Sequence, residues 1–332
     1  MNLHLKNSTK KEILKAIAST IKKSDTFFIA GHMKPDGDTI GSGLALASLL
    51  RRLGKKVVHC SIDPIPSDMS FMKGAKNIKI LNKISSDFDC AVILECINFA
   101  RMGDIIKPNQ AKKIINIDHH LAHKNFGDIN YIVPNSSSVA ELIYDVFTAL
   151  KKEPVKAEAE NLYIGIVTDT GRFQQLNTTS NSHFVAASLL QYGVQSYKIC
   201  KKLFLTTHIN KLKLYGFALS NIKTDADGKI VYIKLTKDMF EKSQAVDADT
   251  DGIINFCISV PEAVVGCILK EIDDNTTKVS LRSIESFNLL ELIKRFNGGG
   301  HKNAAGCTIN ADINNAAEQM IDAFKEKISG KQ

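Results

Sequence analysis

Three short apolar runs, TFFIA at Thr26–Ala30, CAVIL at 90–94 and KIINI at 113–117, limit what this chain can fold into. Apolar on every residue or nearly so, they suit strands buried on both faces, as parallel sheets require. Amphipathic stretches over 43–53, 138–150 and 157–167 fall between and after them, and Gly54 closes the first of these before a further strand at 57–62. That rhythm predicts a parallel sheet flanked by helices.

Beyond residue 186 the rhythm changes. The stretch to 215 holds Gly193 and a run of lysines and reads as a connector. Segments 229–235, 263–270 and 277–282 then read as strands, some alternating, of a mixed or antiparallel sheet. A helix over 288–296 leads into Asn297-Gly-Gly-Gly-His301, and a last helix covers 314–328. The expectation is an α/β chain with a parallel-sheet domain over 1–190, a connector over 191–215 and a smaller α/β domain over 216–332. With 332 residues, 44% of them hydrophobic, two cores can be filled.

Other features narrow the setting. The seven cysteines are scattered with no C-x-x-C pair, which fits reduced thiols and a cytoplasmic protein. The opening MNLHLKNSTKKEILKAI carries charge where a signal peptide needs an apolar stretch, and no run approaches the roughly 20 apolar residues of a membrane span. A formal charge of +8 and a pI near 9.0 suit a polyanionic partner, although the lysines are dispersed. His123 and the lysines near the C-terminus read as solvated.

Ligands of open α/β sheets bind outside the carboxyl ends of the strands. His32, Asp36 and Asp38 follow one such end, Glu95 another and His119 a third, with Asp169 downstream in GIVTDTGRF. Alone, His32 would read as an ordinary loop histidine; the acids at this spacing make it a candidate ligand. Mixed imidazole and carboxylate donors suit Mn²⁺ or a related divalent ion better than Ca²⁺ or a thiolate-held zinc. Two ions about 3.5–4 Å apart could generate hydroxide and stabilise both oxygens of a phosphoryl displacement. Glu95 stands where a bridging carboxylate is wanted. Asp118 reads either as a turn cap or as a group orienting a neighbouring imidazole. Arg101 and Arg172 are surface arginines or substrate contacts, and Cys96 is a packed small residue. The Gly298-Gly299-Gly300-His301 loop is either a flexible helix terminus or a phosphate-binding turn, since glycines permit close approach of backbone amides to an anion.

The order HxxxDxD, strand-end acid, DHH and DTGRF resembles the DHH phosphoesterases, and FNGGGHKNAAG resembles the signature of their DHH-associated C-terminal domain. The likeness runs from about residue 26 to 309 and is closest to the nano-RNase and 3′-phosphoadenosine-5′-phosphate (pAp) phosphatase subgroup. It implies an active site between two domains, with His32 and Asp36 on one metal, Asp38, His119 and Asp169 on the other, and residue 95 shared. The ions would be Mn²⁺, with Mg²⁺ or Co²⁺ as alternatives. His120 would face the scissile phosphate and protonate the leaving oxygen, beside Asp118. Arg101, Arg282 and Gly298 to His301 would hold the substrate, a short oligonucleotide or pAp. Where the family usually has aspartate this chain has Glu95, one methylene longer. Related activities are cleavage of cyclic di-AMP, or nucleotide binding without turnover if the longer acid disables the bridge. A homodimer is left open, and no membrane association is expected.

Overall fold

The computed structural model describes residues 9–121, 125–284 and 286–328, so His123 lies outside the described residues. The chain divides into two compact units, 1–206 and 207–332.

The first unit runs α1 (Lys10–Lys23), β1 (Thr26–Ala30), α2 (Gly37–Arg52), β2 (Lys56–Ser61), β3 (Lys79–Ile80), β4 (Phe88–Leu94), β5 (Ala111–Asp118), β6 (Ile129–Ile132), α3 (Val139–Ala149), α4 (Lys156–Asp169), α5 (Ser180–Leu190) and α6 (Ser196–Phe204). Its strands form one parallel sheet in the order β3-β2-β1-β4-β5-β6. The order reverses direction between β1 and β4, and the crevice outside such a switch point is where open α/β sheets bind ligands. Both faces of β1 are buried, as its apolar sequence required. Phe27 and Ile29 join the core under the helices, while Phe28 and Ala30 point to the opposite face. That second face is covered by a 3-10 turn, Phe99–Met102, and by Ile105 and Ile106 after it. Among the described residues, the α-helices of this unit contribute to the first of these cores.

Helix α2 begins six residues before the predicted start at 43. Gly37, Gly41 and Gly43 look like loop residues in sequence, yet α2 is buried along nearly its whole length. The glycines are there for close packing: a Cβ on Gly37 would meet Thr168, and one on Gly41 would meet the Asn161 carbonyl, both on α4. In return, a Cβ on Gly165 of α4 would stand 2.7 Å from Asp38 Oδ1. At the far end, Arg52 donates two hydrogen bonds of 2.9 and 2.8 Å to the buried Glu158 carboxylate, tying the end of α2 to the start of α4.

The segment 191–215, expected to connect the domains, contains helices. Ile199 of α6 belongs to the first core, and α7 (Ile209–Ser220) opens the second unit. There follow β7 (Lys223–Asp225), β8 (Ile230–Leu235), α8 (Lys237–Ser243), α9 (Ile253–Ile258), β9 (Val265–Asp273), β10 (Thr276–Ser283), α10 (Leu289–Lys294), β11 (Gly299–His301), β12 (Ala304–Ile309) and α11 (Ile313–Ile328). The sheet order is β11-β12-β10-β9-β8-β7, antiparallel except for β8 with β9, so the sheet is mixed. Alternate residues serve two cores, Val279 and Leu281 toward α10 and α11, Val231 and Ile233 toward α7 and α9. Lys325 and Lys327, read as solvated, pair with Asp225 and Glu291.

Candidate metal centre

The ends of β1, β4 and β5, the start of α2 and the end of α4 bring seven side chains together. Three overlapping groups have ligand atoms within 4.8 Å of one another: His32, Asp36 and Glu95; Asp38, His119 and Asp169; and Glu95, His119 and His120. His32 Nε2 stands 3.7 Å from Asp36 Oδ2 and 3.7 Å from Glu95 Oε2. His119 Nε2 stands 4.0 Å from Glu95 Oε1 and 3.6 Å from Asp169 Oδ2. The two oxygens of Glu95 therefore face different histidines, and the extra methylene still lets this carboxylate span both groups.

The imidazoles are aimed by backbone carbonyls. His32 Nδ1–H donates to Met33 O (2.8 Å) and His119 Nδ1–H to Ser136 O (3.1 Å), leaving Nε2 of each ring to bind an ion. Histidine ligands are commonly oriented in this way. Asp36 caps α2, accepting from the amides of Asp38 (3.1 Å) and Thr39 (3.0 Å) through Oδ1, while Oδ2 faces His32. Asp38 is fully buried against the N-terminus of α3, accepting from the Val139 (2.6 Å) and Ala140 (2.9 Å) amides and from Ser42 Oγ (3.1 Å). Helix N-termini favour negative charge there.

Glu95 has the left-handed backbone φ of 55°, uncommon for a residue with a side chain, and Thr39 Oγ1 donates to its Oε2. Such conformations persist where the surroundings hold them, here the hydrogen bond from the Glu95 amide to Ile117 O (2.9 Å). Asn177 Nδ2 ties the Asp169 carbonyl (3.0 Å) to that of Ser137 (3.1 Å).

Crowded acids disfavour one another's charge. Burial first, then Glu95, Asp169 and Asp36, hold the Asp38 carboxyl well above the usual range. Burial pushes Asp169 up to about 7, with Glu95 and Asp36 reinforcing it against the pull of His119. Burial opposes charge on His32, but hydrogen bonds to Asp36 and Glu95 lift it to about 10. Protons are thus held among these groups where divalent cations would relieve the same repulsion, and the donor set of imidazoles and carboxylates fits such ions.

Asp118 does both things considered for it. Its Oδ1 caps the turn, accepting from the His119 (2.8 Å) and His120 (3.2 Å) amides, and also takes the His120 Nδ1–H at 2.7 Å. That hydrogen bond raises the His120 pKa, and half of the ring is exposed. Cys96 is buried as a small packed residue. Arg101 is exposed and its carbonyl accepts from the Met33 amide (2.9 Å) beside His32, while Arg172 lies over the Phe204 ring at 5.1 Å.

Gly299 to His301 form the edge strand β11, with Gly300 paired to Ala305 and His301 to Ala304, whereas Gly298 lies before it and donates to the Ile293 carbonyl (3.0 Å) at the end of α10. Gly300 has φ +145° and a Cβ there would strike the Ala304 carbonyl, whereas one on Gly299 would meet nothing. Arg282 pairs with Ala304 from the other side, so Arg282 and His301 flank one alanine on the same exposed sheet face.

Thr39, Ser42, the carbonyls of Met33 and Ser136 and the α3 amides escaped the sequence reading. Only Thr39 had a signal, its place one residue after Asp38 in the first turn of a capped helix.

Residues 26–166 match the DHH family, N-terminal domain, and residues 227–330 the DHHA1 domain. The bifunctional oligoribonuclease and PAP phosphatase NrnA of Thermus thermophilus is 29% identical over 320 residues, covering 96% of this chain and 93% of its own. The protein of that name from Bacillus subtilis is 31% identical over 297 residues, 87% of this chain and 91% of its own. The crystal structure of an exopolyphosphatase-related protein from Bacteroides fragilis is 29% identical, with TM-score 0.82 over 98% of this chain and 100% of that one. The DHH family is metal-dependent, and among the described residues no helix is long and apolar enough to cross a membrane. This chain belongs to the DHH family of phosphoesterases, with a DHHA1 domain in its second unit.

Proposed function

We propose that the chain hydrolyses short oligonucleotides to mononucleotides and pAp to AMP, using two divalent ions, Mn²⁺ by preference. The observation that carries the reading is the division of Glu95 between His32 and His119, with Asp36 beside the first ring and Asp169 beside the second. In this reading His32 and Asp36 hold one ion, Asp38, His119 and Asp169 the other, and Glu95 bridges them. When bound, such a pair supplies hydroxide at neutral pH and neutralises charge developing on the phosphoryl oxygens. The family names of the relatives, oligoribonuclease and PAP phosphatase, support the choice of substrates.

The protein's own groups do the rest. His120 donates Nδ1–H to Asp118, and in the charged ring that Asp118 favours, Nε2 carries a second proton that can be given to the leaving oxygen. Asp118 also fixes the orientation of the ring. Thr39 holds one Glu95 oxygen in place, and the α3 amides hold Asp38. Arg101, Arg282 and the Gly298 to His301 segment bind substrate, with Gly299 open to an approaching anion. The seven cysteines are free, in keeping with a reducing cytoplasm.

Product analysis with Mn²⁺ and equimolar 5′-phosphorylated diadenylate, pAp and cyclic di-AMP tests the reading. Conversion of the linear substrates to AMP is expected. Preferred loss of the ring would overturn the substrate class, and no turnover, restored by Glu95→Asp, would show a binding protein.

A further inference from the structure

Glu141 lies in the first turn of α3 and is only 2% exposed. A buried carboxylate is costly unless its oxygens are matched. Three neutral side chains match them: Ser137 Oγ donates to Oε1, and Ser136 Oγ (3.3 Å) and Asn181 Nδ2 donate to Oε2. Ser136 Oγ also meets the Ser138 carbonyl (3.0 Å), which closes the turn. A glutamate at this position of a helix ordinarily reaches back to the amide of the N-cap residue. The N-cap here is Ser138, and Glu141 reaches past it to the two residues before.

Those two residues carry carbonyls on which the metal centre rests. Ser136 O takes His119 Nδ1–H, and Ser137 O takes Asn177 Nδ2, which also reaches the Asp169 carbonyl (3.0 Å) and Oδ2 (3.4 Å). The next amides of the same segment, Val139 and Ala140, hold Asp38. Asp38, His119 and Asp169 are one of the groups whose ligand atoms converge. His32 and Asp36 are set elsewhere, by the Met33 carbonyl and the first turn of α2.

We propose that Glu141 is a positioning residue for one ion of the pair and not for the other, an inference that rests on the two-ion reading above. By gripping Ser136 and Ser137 it fixes the segment from which the His119 ring, the Asp169 end of α4 and the Asp38 carboxylate are all aimed. Ligands need placing to within about 0.5 Å, and partners behind them supply that placing. Without the grip, this set loosens while His32 and Asp36 keep their own supports.

Calorimetric titration of Mn²⁺ into the full-length protein, unaltered and as Glu141→Gln, tests it. The variant keeps the size of the side chain but turns one acceptor into a donor. The unaltered chain should take two ions. The variant should take one at unchanged affinity and the other about tenfold to hundredfold more weakly, and turnover lost at low Mn²⁺ should return as Mn²⁺ is raised. Ser137→Ala, which deletes one donor, should show the same asymmetry to a smaller degree, and decides the matter if Glu141→Gln does not fold. Arg52→Ala weakens a buried pair at the far end of α2 and should leave both affinities as they are. Two ions at unaltered affinity in the Glu141 and Ser137 variants, or both weakened alike, would overturn the positioning role alone. A single ion in the unaltered protein would sink the two-ion reading, and this inference with it.

Discussion

The metal-centre region of the first unit and the glycine strand of the second solve opposite problems. In the first, Asp38 and Glu95 are buried with His32 and His119 largely so, and each is held by something rigid: a carbonyl behind each of these two histidines, helix amides behind Asp38, a threonine behind Glu95. In the second, Arg282 on the interior strand β10 and His301 on the edge strand β11 are exposed, with Ala304 between them. Buried charge must be positioned before any ligand arrives, because unpaired it would cost several kcal/mol. Exposed charge has no such requirement and gains geometry only when an anion binds. Mutations should therefore act on turnover in the first region and on affinity in the second.

The largest expected effect is at the ligands. His119→Ala or Asp38→Asn should lower kcat by about 10³-fold or more, with circular dichroism unchanged; full turnover with Mn²⁺ would break the assignment. Next comes His120→Ala, which should lower kcat by about 10²–10⁴-fold and remove the alkaline limb of the pH profile. The sign follows from Asp118. It raises the His120 pKa, so the acid is present at low pH and is lost as pH rises through that raised value. In the second unit, Arg282→Ala and His301→Ala should raise KM by about tenfold and leave Mn²⁺ stoichiometry untouched. A fall in bound metal would erase the distinction between the regions.

Stability sharpens the same contrast. Arg52→Ala leaves the buried Glu158 unpaired and should cost about 3–5 kcal/mol, read by denaturant melts. Within the glycine run, Gly300→Ala should destabilise, and Gly299→Ala should be close to neutral. A pH-dependent effect is expected at His59, whose buried ring is held neutral down to about 3 by burial and Arg51. Its folded pKa lies below the ordinary 6.5, so its contribution is complete above 6.5. It is lost as pH falls from there, by at most about 1.4 kcal/mol per pH unit. A His59→Gln variant should show a flatter acid limb in thermal melts.

Much of this was legible because the chemistry sits on strand ends. TFFIA, CAVIL and KIINI marked β1, β4 and β5, and the polar residues just past them converge in space. The start of α2 was not legible, since Gly37, Gly41 and Gly43 carry breaker propensity and their reason, contact with α4 and His59, is tertiary. Backbone donors and acceptors leave no mark in sequence either, so the carbonyls behind His32 and His119 and the amides beneath Asp38 had to be seen. The run Gly298 to His301 looked like a loop because glycine weakens strands, but from Gly299 onward pairing with β12 overrides that preference.

The central claim is that Glu95 joins two metal sites into one centre. Mn²⁺ titration of the purified full-length protein followed by electron paramagnetic resonance tests it most directly. The account predicts two ions per chain with the spectrum of a spin-coupled pair, and reversion to isolated Mn²⁺ signals in Glu95→Gln. A single ion per chain, or two with uncoupled signals in the unaltered protein, would contradict it.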